Sequence, residues 1–437
     1  MKNLCGRKIS YLALTVLMLL GVTACGGGGS SSSPATTSSS VTYSTTSNKG
    51  DYSEWTLIGS DLTATWNVEN DTGGIDYTYN IAATCSAEAA DGTRSCTIDA
   101  AASSCSAGLV TCPDSPTGAF DLMDVPGVAL FVHTSGTSYG SDQLHVGFAK
   151  NNNACSDDVT GDYTFVRTGL GLDQNFGMFR SGSNFINVVH SDFGFDDSGV
   201  ATTTPTVMYR SSRDRVTFGD SGCSNGVRTR TDMGGVDTFR AMITQSGLFL
   251  LDLPAGQGGL VAFKTDKAAT VTDFANKSFK GISFPDDRGS ELISATSGAM
   301  TPGPDRVTIA ATVGGSTMNL SIRALAAAAT ADSLTSPAYP DFTAVPAMDS
   351  RAPGPFNTNP LATLYSTTAA IPGMFKFETG LTDTGRVIAA AMKFNNKLIV
   401  IGMVYNHRSS ADTNPATGLP FSSANLYNTG NFILFEK

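Results

Sequence analysis

Ser221 stands in Gly219-Asp220-Ser221-Gly222, where its hydroxyl could act as a nucleophile if a histidine took the proton and a carboxylate held that histidine. The chain has four histidines, His133, His145, His190 and His407, and none occupies a recognisable catalytic setting. Gly-Asp-Ser-Gly is also the composition of an ordinary turn, and a turn is the reading that remains. No two histidines have a zinc-ligand spacing such as H-x-x-x-H. His133 and His145 fall on the two strands of one predicted hairpin, where they could face each other. Calcium could draw oxygen ligands from Asp192, Asp196 and Asp197, or from Glu69, Asn70, Asp71 and Asp76, but neither group has the EF-hand spacing. Asp and Asn beside Gly mark turns. No phosphate-binding glycine loop follows a strand and opens a helix. The residues therefore predict no catalytic group, no metal and no cofactor.

The tetrapeptide around Ser221 resembles the nucleophile motif of trypsin-like serine proteases. That family continues with Gly-Pro, whereas Cys223-Ser224 follows here, and its Ala-Ala-His-Cys motif is nowhere in the chain. A second resemblance is specific. Lys2, Arg7 and Lys8 make a positive head, an apolar run occupies residues 9–22, and small residues lead into Cys25, the order of a secretory signal. The run is shorter than the about 20 apolar residues that a spanning helix needs. Val22-Thr23-Ala24-Cys25 resembles the lipobox of bacterial lipoproteins, in which the cysteine is acylated on sulfur before the signal peptide is cut. The resemblance covers residues 1–25 and implies removal of residues 1–24, a lipid anchor with chains such as palmitate on Cys25, and a membrane as partner. Gly26 follows the cysteine where Asp would favour retention in the inner membrane. The resemblance thus implies the outer membrane, at its periplasmic face or the cell surface.

Eight cysteines occur. Cys5 leaves with the signal and Cys25 carries lipid, so six remain: Cys85, Cys96, Cys105, Cys112, Cys155 and Cys223. An even number in an oxidising compartment reads as three disulfides. Locality favours Cys85 with Cys96, Cys105 with Cys112, and Cys155 with Cys223. A nested alternative pairs Cys85 with Cys112 around Cys96 with Cys105. Without a Cys-x-x-Cys pair or a nearby histidine, the thiols do not read as a zinc site.

Residues 25–50 are dominated by Gly, Ser and Thr and have little apolar surface to bury. They are read as a tether, with a root-mean-square reach of roughly 25 to 30 Å for a coil of this length. The formal net charge is -10, and removing the three positive charges of residues 1–24 makes the mature chain more acidic still. This acidity argues against nucleic acid and anionic lipid surfaces as partners, since both are bound by clustered Lys and Arg. Charged residues amount to 15% against a usual value of about 25%, a balance that suits exported β proteins rich in turns.

The elements behind these residues are short apolar or alternating runs bounded by Gly, Pro, Asn and Asp, the signature of strands and turns. The fold class is all-β, built from tandem small antiparallel barrels or sandwiches with few short helices. The helical candidates are residues 272–276 and 325–329. A Gly-led strand, a turn and a return strand recur at Gly127, Gly247 and Gly373. A further strand follows each, beginning near Gly161, Lys277 and Gly430. This suggests three related units: residues 51–160, rich in cysteine; residues 161–271; and residues 272–437, with a Pro-rich crossing loop over 336–372. Proline cannot donate to a sheet ladder, so that loop is read as free of central strands.

Such a chain reads as a lipid-anchored exported protein that binds without catalysis, through contact with a protein or glycan. Two other classes remain open. One is a carrier of a small apolar ligand inside a barrel. The other is a glycan-cleaving enzyme using scattered carboxylates.

Overall fold

The computed structural model describes residues 40–437 outside 91, 135–142, 154, 156–159, 170–173, 182–188, 197–205, 211–222, 232–237, 245–246, 254–257, 286–289, 302–305, 327–369, 379–386, 414–418 and 422–424. The signal, Cys25, Ser221, Asp197 and most of the Pro-rich passage lie outside the described residues. The chain is all-β, and its described helical structure is two short 3-10 turns, Thr265–Lys267 and Val271–Phe274.

The first body is a closed barrel. Its strands are β1 (Val41–Ser47), β2 (Tyr52–Ile58), β3 (Asp61–Glu69), β4 (Ile75–Cys85), β5 (Thr93–Ile98), β6 (Ser104–Ala107), β7 (Ala119–Val125), β8 (Ala129–His133) and β9 (Leu144–Ala149). The ring runs β1-β2-β3-β4-β5-β7-β8-β9 and returns to β1, while β6 extends the wall along the first half of β4. Closure leaves the ring without a free edge.

The second body is a ladder of nine strands: β10 (Gly161–Arg167), β11 (Gln174–Ser181), β12 (Val189–Asp196), β13 (Thr206–Arg210), β14 (Cys223–Ser224), β15 (Val227–Thr231), β16 (Thr238–Ile243), β17 (Leu248–Asp252) and β18 (Gly259–Lys264). Its first strand pairs with its last, β10 with β18. The third body is again a closed antiparallel barrel, of β19 (Ser278–Pro285), β20 (Glu291–Thr301), β21 (Arg306–Val313), β22 (Ser316–Ala326), β23 (Ala370–Glu378), β24 (Val387–Phe394), β25 (Lys397–His407) and β26 (Asn425–Glu436). It closes through β19 and β26, which run antiparallel from Phe279 beside Glu436 to Pro285 beside Gly430.

Three expectations are corrected. The tether cannot reach residue 50, because β1 lies in the first barrel with Tyr43 to Ser47 buried. Three of its polar residues are satisfied internally: the Thr45 hydroxyl bonds Ser53, Thr46 donates to Asp252 at 2.9 Å, and the Ser47 hydroxyl accepts the Asp51 amide at 2.9 Å. The first unit therefore starts at about Val41, not 51. Leu325 and Ala326 continue β22 and are not helical. Pro372 lies within β23, at the irregularity where the β22–β23 register shifts between Ala324 and Ala326; a bulge tolerates a residue with no N–H to donate.

The repeat is also re-registered. Gly127, Gly247 and Gly373 all lead hairpins at positive φ, +71°, +80° and +69°, conformations that glycine adopts at no steric cost. The hairpins β8–β9 and β17–β18 end their bodies, but β23–β24 does not; the terminal hairpin of the third body is β25–β26. The strands at Gly161 and Lys277 open the next body, whereas Gly430 sits in the last strand of its own.

Each barrel has its own interior, and one larger core is shared by all three bodies. Phe131 and Val146 from the first, Val166, Phe176 and Leu250 from the second, and Ile282, Ile401 and Phe435 from the third meet in it. The Phe131 and Phe435 rings lie 5.3 Å apart and those of Phe176 and Tyr405 6.2 Å apart. Strands at this junction are apolar on both faces, which is why β8, β17 and β24 read as continuous apolar runs rather than alternations.

The disulfides join Cys85 to Cys96 across the β4–β5 pair, Cys105 to Cys112, and Cys155 to Cys223. Their sequence separations are 11, 7 and 68 residues. Because a cross-link restricts the unfolded chain more as its loop lengthens, replacing Cys155 and Cys223 with serine is expected to cost about 4 kcal/mol, against about 2.5 kcal/mol for Cys105 and Cys112. Denaturant unfolding of the two double variants checks this order.

Candidate functional site

The two barrels differ in what fills them. The first holds Trp55, Trp66, Tyr43 and Tyr79, all essentially inaccessible. His145 projects among them, with its ring 4.7 Å from Trp66 and its Nδ1 3.1 Å from the Ser53 hydroxyl, which accepts from Trp55 Nε1 at 2.7 Å. Burial, and then the neighbouring His133, push the His145 pKa down to about 3, so the ring is a neutral core group at neutral pH. His133 does not face it. His145 is paired with Val132, and His133 with Leu144, which puts the two rings on opposite faces of the sheet. His133 instead meets Phe284 of the third body, 5.8 Å away.

The third barrel is plugged at one level and hollow at another. The turn Val271–Phe274 is closed by a capping box between Thr270 and Asp273 and inserts Phe274 against Phe375, 4.9 Å between ring centroids, with Phe279 and Phe377 beyond. A cavity of about 480 Å³ is lined by Ile293, Ile309, Ala311, Leu320, Phe377, Phe432 and Leu434, with Ser283, Glu291, Val313, Met318, Asn406, Arg408 and Thr429 also on its wall. Small-molecule sites commonly measure about 300 to 1,000 Å³. Gly402 helps to make the space: it lies directly across from Phe432, whose ring occupies the place a β-carbon would need. With Val387 of β24, the lining comes from all eight strands of the barrel, so none of these residues formed a motif. Both barrels hold aromatic side chains, Trp55, Trp66 and Phe120 in the first and Phe274, Phe375 and Phe432 in the third, so composition alone does not single out the hollow one.

A buried charged cluster joins the first barrel to the ladder. Arg240 on β16 pairs with Glu69 at the end of β3 and with Asp252 at the end of β17, the latter at 3.3 Å. Asp51, between β1 and β2, accepts from Trp66 Nε1 at 3.1 Å and from the Glu69 amide at 3.0 Å. The guanidinium also lies over the Tyr52 ring, 5.7 Å from its centroid. Glu69 and Asp252 share one guanidinium out of water, with Asp51 beside them; burial raises the pKa of all three, against the pull of Arg240 on Glu69 and Asp252 and against hydrogen bonds to Asp51 from the Glu69 amide and Trp66. Glu69 is pushed up to about 7, while Asp51 and Asp252 shift in the same direction.

The calcium candidates separate accordingly. Glu69 belongs to the Arg240 cluster, whereas Asn70 organises its own turn by accepting the Thr72 and Gly74 amides, each at 3.0 Å, and reaching Asp76. Asp192, Asp196 and His190 lie on β12, and His407 ends β25. Among the described residues no group of three His, Cys, Asp or Glu side chains is placed to hold a metal ion, and no helix is long and apolar enough to cross a membrane.

No family model matches this chain, and no curated protein does. A solved structure of the isotype 1 transferrin binding protein B from serogroup B Neisseria meningitidis aligns with 89% of this chain and 66% of its own length, at 11% identity and a TM-score of 0.21. This chain thus spans just under two thirds of that protein, and a similarity at that level bears on neither fold nor function.

The charged cluster makes stability depend on pH. The Glu69 pKa is raised on folding, from an ordinary 4.5 to about 7, so its contribution is fully present below 4.5 and is lost as pH rises through 7. His145 acts oppositely, losing stability as pH falls from 6.5 towards 3. Glu69→Gln, which cannot ionise but keeps an acceptor for Arg240, is expected to flatten the decline between pH 5 and 8 and to leave the acid limb intact. Urea midpoints of both proteins across that range measure the difference.

Proposed function

We propose that this chain is an exported lipoprotein, held at the bacterial outer membrane by acyl chains on Cys25, and that its folded part binds a ligand without transforming it. The cup of the third barrel is the binding site. One observation carries the reading: beyond the Phe274 plug, the third barrel opens into a cup of about 480 Å³ lined largely by apolar side chains. The cup opens to solvent past Met318, which is 44% exposed, and covering its apolar lining with an apolar ligand is favourable. The lipobox resemblance supports the anchor, and the three disulfides suit an oxidising compartment. The buried acids Glu69 and Asp252 have side chains with no exposed surface and are committed to Arg240, which does not favour a glycan-cleaving site there.

A second reading, contact with a macromolecular partner, has its own support. The loop closed by Cys105 and Cys112 exposes Leu109 at 68% and Val110 at 46%, an apolar tip held by a covalent staple.

Two measurements test the proposal. Cys25→Ser should abolish palmitate labelling and move the protein from the membrane to the soluble fraction; an unchanged membrane fraction refutes the anchor. Native mass spectrometry of full-length protein from membranes should show a retained small molecule, and Ala311→Phe, which fills the cup, should lose it. A ligand-free wild type, or one whose ligand survives the substitution, refutes the cup.

A further inference from the structure

The lining of the cup is graded from end to end and from side to side. Deep in it stand Ile309, Leu320, Phe377 and Leu434, with no polar side chain that could pair with a buried polar ligand atom; an unpaired polar group there would be strongly disfavoured. The wall formed by β25 and β26 carries Asn406, Arg408 and Thr429. The Asn406 amide donates to the Thr429 hydroxyl at 3.0 Å, and the Arg408 guanidinium lies over the Phe421 ring, 5.7 Å from its centroid. Across the barrel, β21 and β22 bring Val313 and a Met318 that is 44% exposed. Glu291, the acid on the lining, is on β20, separated from β25 by both β19 and β26.

An apolar well with a polar group of donors on one side and an apolar lip on the other fits a molecule with a long apolar body and a polar head at one end. The donors set the sign of that head. Arg408 brings a guanidinium, which binds a carboxylate or phosphate oxygen by charge-assisted hydrogen bonds about twice as strong as neutral ones. We propose that the cup takes the hydrocarbon chain of a single-chain anionic amphiphile, with its head group at Asn406 and Arg408. This rests on the reading that the third barrel is the binding site, and adds the class of ligand. Each methylene buried in the well should tighten binding about fourfold.

Isothermal titration of the full-length protein with decanoate, 1-decanol and decyltrimethylammonium tests it. Wild type is expected to bind decanoate most tightly and decyltrimethylammonium least, with octanoate at least tenfold weaker than decanoate. Arg408→Gln should weaken decanoate about tenfold more than it weakens decanol. Val313→Trp, which blocks the mouth from a partly exposed position, should weaken all three and guards against Ala311→Phe failing to fold. Equal or tighter binding of decyltrimethylammonium, or an Arg408→Gln effect equal on decanoate and decanol, overturns the anionic head while leaving the cup as an apolar site. No binding by any of the three ligands, or binding by all three undiminished in Val313→Trp, overturns the cup itself.

Discussion

Pairing between the first and last strand of each body is the interaction on which the rest depends. β1 meets β9, β10 meets β18 and β19 meets β26, each in antiparallel register over five to seven residue pairs. An open ladder would leave rows of unpaired N–H and C=O groups at its edges, available to any other strand. Closure removes them in the barrels. It also requires the chain ends of a body to be adjacent, which lets the next body start where the last one finished. The seam of the third barrel is made close by Gly281, where a β-carbon would collide with the Ile433 carbonyl.

Closed bodies would still be loosely strung if their outer faces were polar. They are not polar where they meet. The shared core takes the outward side chains of β8 and β9, of β17 and β18, and of β24 to β26, so these strands bury both faces. Polar contacts add register: Asn428 and Asn431 of β26 donate to the carbonyls of Gly169 and Thr168 at 3.1 and 2.8 Å, and Thr164 donates to the Pro372 carbonyl at 2.6 Å. The cup is built on this asymmetry. Its β24–β26 wall is backed by the shared core, whereas β20 and β21 alternate between buried and exposed residues. The lip with Arg408 therefore belongs to the doubly buried wall and the lip with Met318 to the singly buried one.

The Arg240 cluster shows the same junction in electrostatic form. Removing one partner of a buried pair typically costs more than the pair contributes, because it strands the other charge. Here Glu69 and Asp252 pair with one guanidinium, and hydrogen bonds from Thr46 to Asp252 and from Trp66 and the Glu69 amide to Asp51 hold the rest of the cluster. The first barrel and the ladder are thus joined through Glu69, whose pKa burial raises to about 7.

Sequence by itself determined the class of structure; for the cross-links it gave a preference, with a nested pairing left open. Short alternating and apolar runs between Gly, Asn and Asp specify strands, since a period of two is visible whichever strand lies alongside. Separations of 11 and 7 residues favour the local cysteine pairs that the structure contains, because short loops are easily closed. Tertiary structure decided the rest. The strand Val41–Ser47 was unreadable as such because its Thr and Ser residues are made compatible with burial by partners as far away as Asp252. Strand order was hidden wherever both faces are apolar, for a run such as Val387–Phe394 does not say which face is inside. The cup was hidden most completely. Apolar residues facing inward specify a core, and whether that core is full or hollow depends on the summed volume from eight strands between Ser283 and Leu434. That volume exists only once the ring has closed.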